Sequence, residues 1–337
     1  MIKIMVFALV VVSFNAFAIS EVNYKSEYSE KILPVIAAFN TKSFVGQKNI
    51  PIHYGTYTTN PNATRCLVIL PGRSEAIEKY AEIVYDLDNG ALAGEFQYFL
   101  MDHRGQGSSG RMLEETQKGH VDSFNNYVLD LKKFMDTIVK DRKCSETSLL
   151  AHSLGAGIST KFMQKYPEYF DRAALTSPML KIQTAPYRYE VARAIVVASV
   201  IAGQGKKYGP GQKGFDPVRN FEANAFTTSP VRYEMAMDIF DLFPKTQLGG
   251  VTNQWLNEVM HATVSIRAHY NDIKIPLKVF HAGIELYSDK DEMIRLCDMA
   301  PHCTRTYLET SKHEVLMDRD VNRGVVISEL EDFLVAR

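Results

Sequence analysis

"SLLAHSLGAG", residues 148–157, reads as an apolar strand end, one serine between His152 and Leu154, and small residues that open a helix. A serine at such a turn is a candidate nucleophile, and the usual spacing around it is Gly-x-Ser-x-Gly. Here Ala151 stands at the first glycine position and Gly155 at the second. Small residues at 151, 155, 156 and 157 let the backbone turn sharply and the helix pack close. The N-terminus of that helix favours developing negative charge. By itself the segment fits a nucleophile or a plain structural turn, so the choice rests on the remainder of the chain.

Outward from Ser153 the chain alternates. Strand-like "CLVILPG" (66–72), "FQYFLM" (96–101), "SLLAHS" (148–153) and "AALTSPML" (173–180) are separated by runs with helical spacing of apolar residues. Two shorter strand-like runs, "KSFVGQ" (42–47) and "IPIHYGTY" (50–57), precede them. Strands alternating with helices of about a dozen residues predict a mostly parallel sheet covered by helices on both faces. The alternation stops after Leu180 and resumes at "PLKVFHAG" (276–283), followed by a helix, the strand "CTRTYLE" (303–309) and a last helix. The excursion, about residues 182–272, is largely helical by pattern, with a Gly/Lys-rich loop at 203–214. Its size and place predict a cap over the C-terminal ends of the strands, within a single α/β domain spanning 19–337.

The candidates for chemistry lie at strand ends. In this sheet type the order along the chain is serine, then Asp or Glu, then histidine. His313, the last of nine histidines, follows a strand and precedes the final helix. Its ordinary pKa of about 6.5 suits a base that takes the Ser153 proton. Glu285 follows "PLKVFHAG" by two residues, with Asp289 as the alternative acid. A carboxylate there orients the imidazole and stabilises its charged form. The backbone N–H groups of Leu154 and Arg73 are the candidate oxyanion hole. The Arg73 side chain is open to two readings, a partner for a substrate phosphate or for Glu75.

With "LPGRSEAIEKY", "MDHRGQGSSGR", "GHVDSFNNYVLDL", "AHSLGAG", "TSPML", "HAGIELYSD" and "SKHEVLMD" in this order, the chain resembles the bacterial lysophospholipase and monoacylglycerol lipase branch of the α/β-hydrolases. "ANAFTTSPVRY" and "LGGVTNQW" in the excursion resemble its lysophospholipase side, and the resemblance covers most of residues 45–335. It implies an α/β-hydrolase fold with a helical cap, Ser153 as nucleophile, Glu285 as acid and His313 as base. It also implies a lipid ester substrate and no metal or organic cofactor. Pro71 where many relatives carry histidine, Ala151 for glycine and Glu285 for the commoner aspartate are its departures from the wider pattern. A non-catalytic lipid-binding protein and an acyl transferase are the competing expectations.

The first eighteen residues, "MIKIMVFALVVVSFNAFA", carry a positive Lys3, an apolar run from Ile4 to Phe14 and a small-x-small site at Ala16–Ala18. That pattern predicts a cleaved signal peptide, a mature chain beginning near Ile19, and export to the periplasm or beyond. In an oxidising compartment the four cysteines predict two disulfides, with three pairings possible. Cys297 and Cys303 are near neighbours, which leaves Cys66 with Cys144; no Cys-x-x-Cys pair points to zinc. A formal charge of −1, without a run of five like charges, excludes the footprint of a nucleic-acid binder. No obligate protein partner is implied. In the excursion the apolar run Ala194–Ala202 is expected as a buried cap helix, the alternatives being an acyl-channel wall or transient contact with a membrane surface. Among Arg188, Arg193, Lys206, Lys207, Lys213, Arg219 and Arg232, one or two are candidates to hold a phosphodiester head group, and the others are expected on a solvated face.

Overall fold

The computed structural model describes residues 18–336, so the expected signal segment lies outside the described residues except for Ala18. Eight strands form one sheet: β1 (Asn40–Val45), β2 (Pro51–Tyr57), β3 (Arg65–Leu70), β4 (Phe96–Met101), β5 (Glu146–His152), β6 (Arg172–Thr176), β7 (Leu277–Ile284) and β8 (Cys303–Lys312). Their order across the sheet is β1-β2-β4-β3-β5-β6-β7-β8. β1 pairs with β2, and β2 with β4, antiparallel; every other pair is parallel. This is the sheet of the α/β-hydrolase fold.

Successive residues of the central strands point to opposite faces, and both faces are dry. Cys66, Val68 and Leu70 of β3, with Leu149 and Ala151 of β5, enter one core. Leu67, Ile69 and Leu150 enter the other. The first core is covered by α2 (Phe124–Phe134), α3 (Ser153–Lys165), α6 (Asn253–Arg267) and α7 (Lys290–Met299). The second is covered by short helical turns between residues 21 and 38, by α1 (Ala81–Asn89) and by α8 (Asp320–Val335). Burial on both faces explains why these strands read as unbroken apolar runs.

Between β6 and β7 the chain leaves the sheet and forms α4 (Tyr189–Ser199), α5 (Pro230–Leu242) and then α6. The third of these helices returns to the body: Trp255, Val259 and Ile266 join the first core, and the Trp255 indole N–H donates to the Tyr127 hydroxyl at 3.1 Å. α4 corrects an expectation. Only Val196 of that helix is buried, while Val191 and Ile195 are 48 % and 43 % exposed and Ile201, just beyond, is 81 % exposed. Among the described residues no element covers the outer side of α4, so its apolar stripe faces outward. Among the described residues, no helix is long and apolar enough to cross a membrane.

The four cysteines are paired. Cys66 joins Cys144 across 78 residues, tying the start of β3 to the approach of its parallel neighbour β5. Cys297 joins Cys303 across 6, fastening α7 to the start of β8. The longer loop constrains the unfolded chain more, by roughly 4 kcal/mol against roughly 2 for the shorter in the chain-entropy account.

Candidate active site

Ser153 sits where β5 becomes α3, with φ of +46°, a left-handed conformation unusual for a residue with a side chain. The surroundings enforce it. A Cβ on Gly155 would lie 2.5 Å from the carbonyl oxygens of Leu70 and Pro71, and one on Gly157 would lie 2.7 Å from that of Met179. Only glycine lets α3 press this closely onto the end of β3 and the loop after β6. Ala151 is ordinary strand: it pairs in register with Leu70 and its methyl lies in the first core.

His313 and Glu285 come from the ends of the next strands. His313 follows β8 directly, and the Ser177 hydroxyl donates to its carbonyl at 2.7 Å. Its Nε2 is 2.9 Å from the Ser153 Oγ, and its Nδ1–H donates to Glu285 Oε2 at 2.6 Å. Glu285 follows β7, next to a register shift in the β7–β8 ladder. Gly283 is obligatory there, since a Cβ would come within 2.1 Å of the Glu309 carbonyl oxygen. The other carboxylate oxygen of Glu285 accepts the N–H groups of Tyr287 and Ser288 at 2.7 and 3.1 Å. Burial pushes this carboxyl up, but hydrogen bonds from His313 and the two amides outweigh it and hold it below its ordinary value. The structure therefore brings together Ser153, His313 and Glu285, all buried. Asp289, the alternative acid, is elsewhere: it caps α7 through the Asp291 N–H at 3.0 Å and pairs with Lys181 at 2.5 Å.

The candidate oxyanion amides flank this line. Leu154 is in the first turn of α3, where N–H groups lack helical partners. Arg73 follows a turn braced on several sides. Glu75 accepts the Gly72 N–H at 2.5 Å, the His103 Nε2–H donates to the Pro71 carbonyl at 3.0 Å, and the Gln106 side-chain amide donates to the Gly72 carbonyl at 2.6 Å. This is the physical work of the "DHRGQG" block.

Of the two readings of the Arg73 side chain, the pair with Glu75 is not made. Glu75 is taken by Lys79 at 2.6 Å, and Lys79 also meets Glu314 at 2.7 Å. Arg73 donates to the Gly249 carbonyl at 3.0 Å and has no carboxylate partner among the described residues. Burial lowers the pKa of its guanidinium. Glu75, His152 and Glu314 place ligand-type atoms within 4.8 Å of one another, yet the Lys79 ammonium already bonds both carboxylates, so a positive charge occupies the cluster. His152, whose ring centre is 4.9 Å from that of His313, is kept neutral by burial with its pKa lowered to about 4.

A cavity of about 470 Å³ opens from Arg73, Glu75 and Glu314 into the excursion, where Phe226, Met237, Phe240 and Leu248 line it. Glu314 places one side of the cavity at the histidine loop, and the excursion side mixes these apolar side chains with Gln212, Lys213, Asp216, Asn220 and Asn224. Neither this cavity nor a larger, polar cleft of about 730 Å³ beside α4 is lined by Ser153, His313 or Glu285; the smaller one adjoins the line through Arg73 and through Glu314, the neighbour of His313. Most basic residues of the excursion are committed elsewhere: Arg232 is buried against Glu82 and Asp320, and Arg219 pairs with Glu234, Asp238 and Asp241. Lys213 pairs with Asp216, and Arg188 lies 3.9 Å from Glu190. Sequence reasoning missed Ser177 and Lys79, whose roles depend on atoms brought together only by folding. It also missed Tyr287, whose ring lies 5.1 Å from that of His313.

A family model described as "Serine aminopeptidase, S33" (Hydrolase_4) matches residues 61–320. The chain is 31 % identical to a probable lysophospholipase L2 of Haemophilus influenzae, over 95 % of this chain and 97 % of that protein. It is 32 % identical to lysophospholipase L2 of Escherichia coli K12, over 86 % of each. A crystal structure of a soluble variant of the Saccharomyces cerevisiae monoglyceride lipase, in complex with a substrate analogue, superposes with a TM-score of 0.68 at 13 % identity, covering 87 % of this chain and 94 % of that one. The match across most of the chain, on this sheet and with these strand ends, makes the protein a member of the Hydrolase_4 family, on the lysophospholipase and monoacylglycerol lipase branch of the α/β-hydrolases.

Proposed function

We propose that this carboxylic ester hydrolase releases the fatty acid of a lysophospholipid through an acyl-enzyme. Ser153 attacks the ester carbonyl carbon as His313 Nε2 takes its proton, while Glu285 holds the ring and stabilises the imidazolium. The Leu154 and Arg73 amides receive the oxyanion. Collapse of the tetrahedral intermediate breaks the ester C–O bond, and His313 returns the proton to the departing glycerol oxygen. Water then attacks the acyl-enzyme, His313 takes the water's proton, and a second collapse frees the fatty acid and restores Ser153. The observation that carries this reading is the hydroxyl–imidazole–carboxylate line at 2.9 and 2.6 Å.

The substrate class is argued from the cavity and from the relatives. Arg73 and Glu314 beside the histidine loop, with Phe215, Phe226, Met237, Phe240 and Leu248 in the excursion, suit a polar head group and a single acyl chain. Arg73, a half-buried cation with only a carbonyl partner among the described residues, suits a phosphodiester, which takes a guanidinium in charge-assisted hydrogen bonds. The relatives named lysophospholipase L2 support the same class. In this reading the excursion is the cap, and the leader together with two disulfides belongs to an exported protein. The exposed stripe of α4 and Ile201, with Arg188, Arg193, Lys206 and Lys207 nearby, suits transient contact with an anionic lipid surface.

Steady-state kinetics test the acid: Glu285→Gln lowers kcat by up to ~10⁴ and Asp289→Asn changes it less than about threefold, and the reverse order sinks the assignment. For the head group, Arg73→Gln, which keeps the backbone N–H, raises KM for lysophosphatidylglycerol about tenfold or more and leaves KM for a monoacylglycerol of equal chain length nearly unchanged. Equal effects on both substrates contradict phosphate recognition. In sedimentation with phosphatidylglycerol vesicles, Ile195→Asp combined with Ile201→Asp reduces bound protein at least about fivefold, with turnover of a soluble short-chain ester retained. Undiminished binding rejects α4 as the contact.

A further inference from the structure

The residue that follows the expected cleavage site lies inside the molecule rather than on it. Ile19 is 1 % exposed and belongs to the second core, although Ala18 before it is half-exposed. The Ile19 nitrogen donates to Asp86 Oδ1 at 3.3 Å, and the Ile19 carbonyl accepts from Arg232 Nη2 at 2.8 Å. The next residues are tied as firmly. The Ser20 hydroxyl and the Glu21 N–H both donate to Asp320 Oδ2, at 2.9 and 2.8 Å, and Glu21 in turn accepts the Asp320 N–H and the Ser229 hydroxyl.

Around Ile19 lies a buried cluster of charges drawn from three helices. α1 supplies Glu82 and Asp86, α8 supplies Asp320 and Arg323, and α5 supplies Arg232. Arg232 bonds Glu82 at 3.0 Å and Asp320 at 3.0 Å. Arg323 meets Glu82 at 3.3 Å and makes a closer pair with Asp86. Tyr24 donates its hydroxyl to Glu82 at 2.6 Å, and Glu21 stands at the partly exposed rim. Three carboxylates thus share two guanidiniums, and one negative charge is left over. Burial pushes the Asp86 carboxyl up to about 6, with Glu82 adding to the shift and Arg323 opposing it. A third positive charge, within reach of Asp86 Oδ1, is what the cluster lacks.

We infer that hydrolysis of the Ala18–Ile19 peptide bond supplies that charge, the freed Ile19 α-ammonium forming a buried ion pair with Asp86 that fastens the mature N-terminus between α1, α5 and α8. The cut is made by an endopeptidase of the class that cleaves after small-x-small sites, with water as co-reactant. Ala18 keeps the oxygen as its carboxylate, and the Ile19 amine takes up a proton. Cleavage precedes folding, because Ile19 is buried in the folded chain. The nitrogen moves little: the atom that now donates as an amide donates as an ammonium, and the net charge of the cluster falls from −1 to zero. Arg232 makes the terminus a brace for the cap helix α5 as well as for the body. The inference is independent of the catalytic reading.

The linkage to pH has a definite sign. A free α-amino group has a pKa near 8, and pairing with Asp86 raises it in the folded state. While Asp86 is ionised, the added stability is therefore fully present below about pH 8 and is lost as pH rises through the higher folded value; it is lost again at acid pH, where Asp86 takes up its proton.

The test compares the chain beginning at Ile19, released from an amino-terminal fusion without extra residues, with the same chain carrying Gly-Ser before Ile19. The expected result is that at pH 7 the native terminus raises Tm by at least about 3 °C. The gap should close above about pH 10, and Asp86→Asn should remove it. Mass spectrometry of the exported protein should find Ile19 first. Equal Tm values for the two chains, a gap unchanged by pH or by Asp86→Asn, or a mature chain starting at another residue would each overturn the inference. Where Asp86→Asn does not fold, the pH at which the gap closes decides alone.

Discussion

A serine held at φ of +46° between β5 and α3 is the constraint to which the rest of the site answers. It turns the Ser153 hydroxyl out of the sheet and leaves the Leu154 amide in a helical first turn. It can exist only because Gly155 and Gly157 let α3 lie against neighbouring backbone. The ends of β6, β7 and β8 then complete the site in order: Ser177 steadies the His313 carbonyl, Gly283 admits the Glu285 bend, and His313 reaches back to Ser153. A parallel sheet is what makes this possible, since it delivers four consecutive C-terminal strand ends to one edge.

Two buried charge networks tie the loops and helices around the sheet together. Behind the reacting groups, Lys79 joins Glu75 and Glu314, so the turn that carries the Arg73 amide and the loop that carries His313 share one cation. On the other flank, Arg232 and Arg323 join α5 and α8 to α1 and to the first described residues. Removing one member of such a network leaves an uncompensated buried charge, which is far more costly than the pair itself is favourable. Their value lies in fixing position. The result is a braced sheet edge, while α4 of the excursion keeps apolar side chains exposed.

Much of this was legible in the amino-acid sequence because its signals are local. Alternation of apolar runs marks each strand, and the order of serine, acid and histidine follows from strand order. The strand read as 173–180 ends at Thr176, since Ser177 turns to a positive φ to reach the His313 loop. Glu285 is favoured by its place after β7 and by the resemblance, with Asp289 as the fallback; in the structure a bulge in the β7–β8 ladder and a cap on α7 set them apart. The exposure of α4 was hidden because apolar periodicity reports which side is oily but not whether another element covers it. Arg73, Lys79 and Ser177 lie within quoted motifs, but their contacts with Gly249, Glu314 and His313 were hidden because those partners are more than a hundred residues away.

The central claim is that Ser153 is made reactive by His313, and covalent labelling tests it most directly. The mature protein is incubated with a fluorophosphonate, digested and sequenced by mass spectrometry. The account predicts one phosphonyl adduct, on Ser153, formed rapidly in the native protein and slowed at least about a thousandfold by His313→Ala. An unlabelled Ser153, or labelling that proceeds as fast without the imidazole, would contradict it.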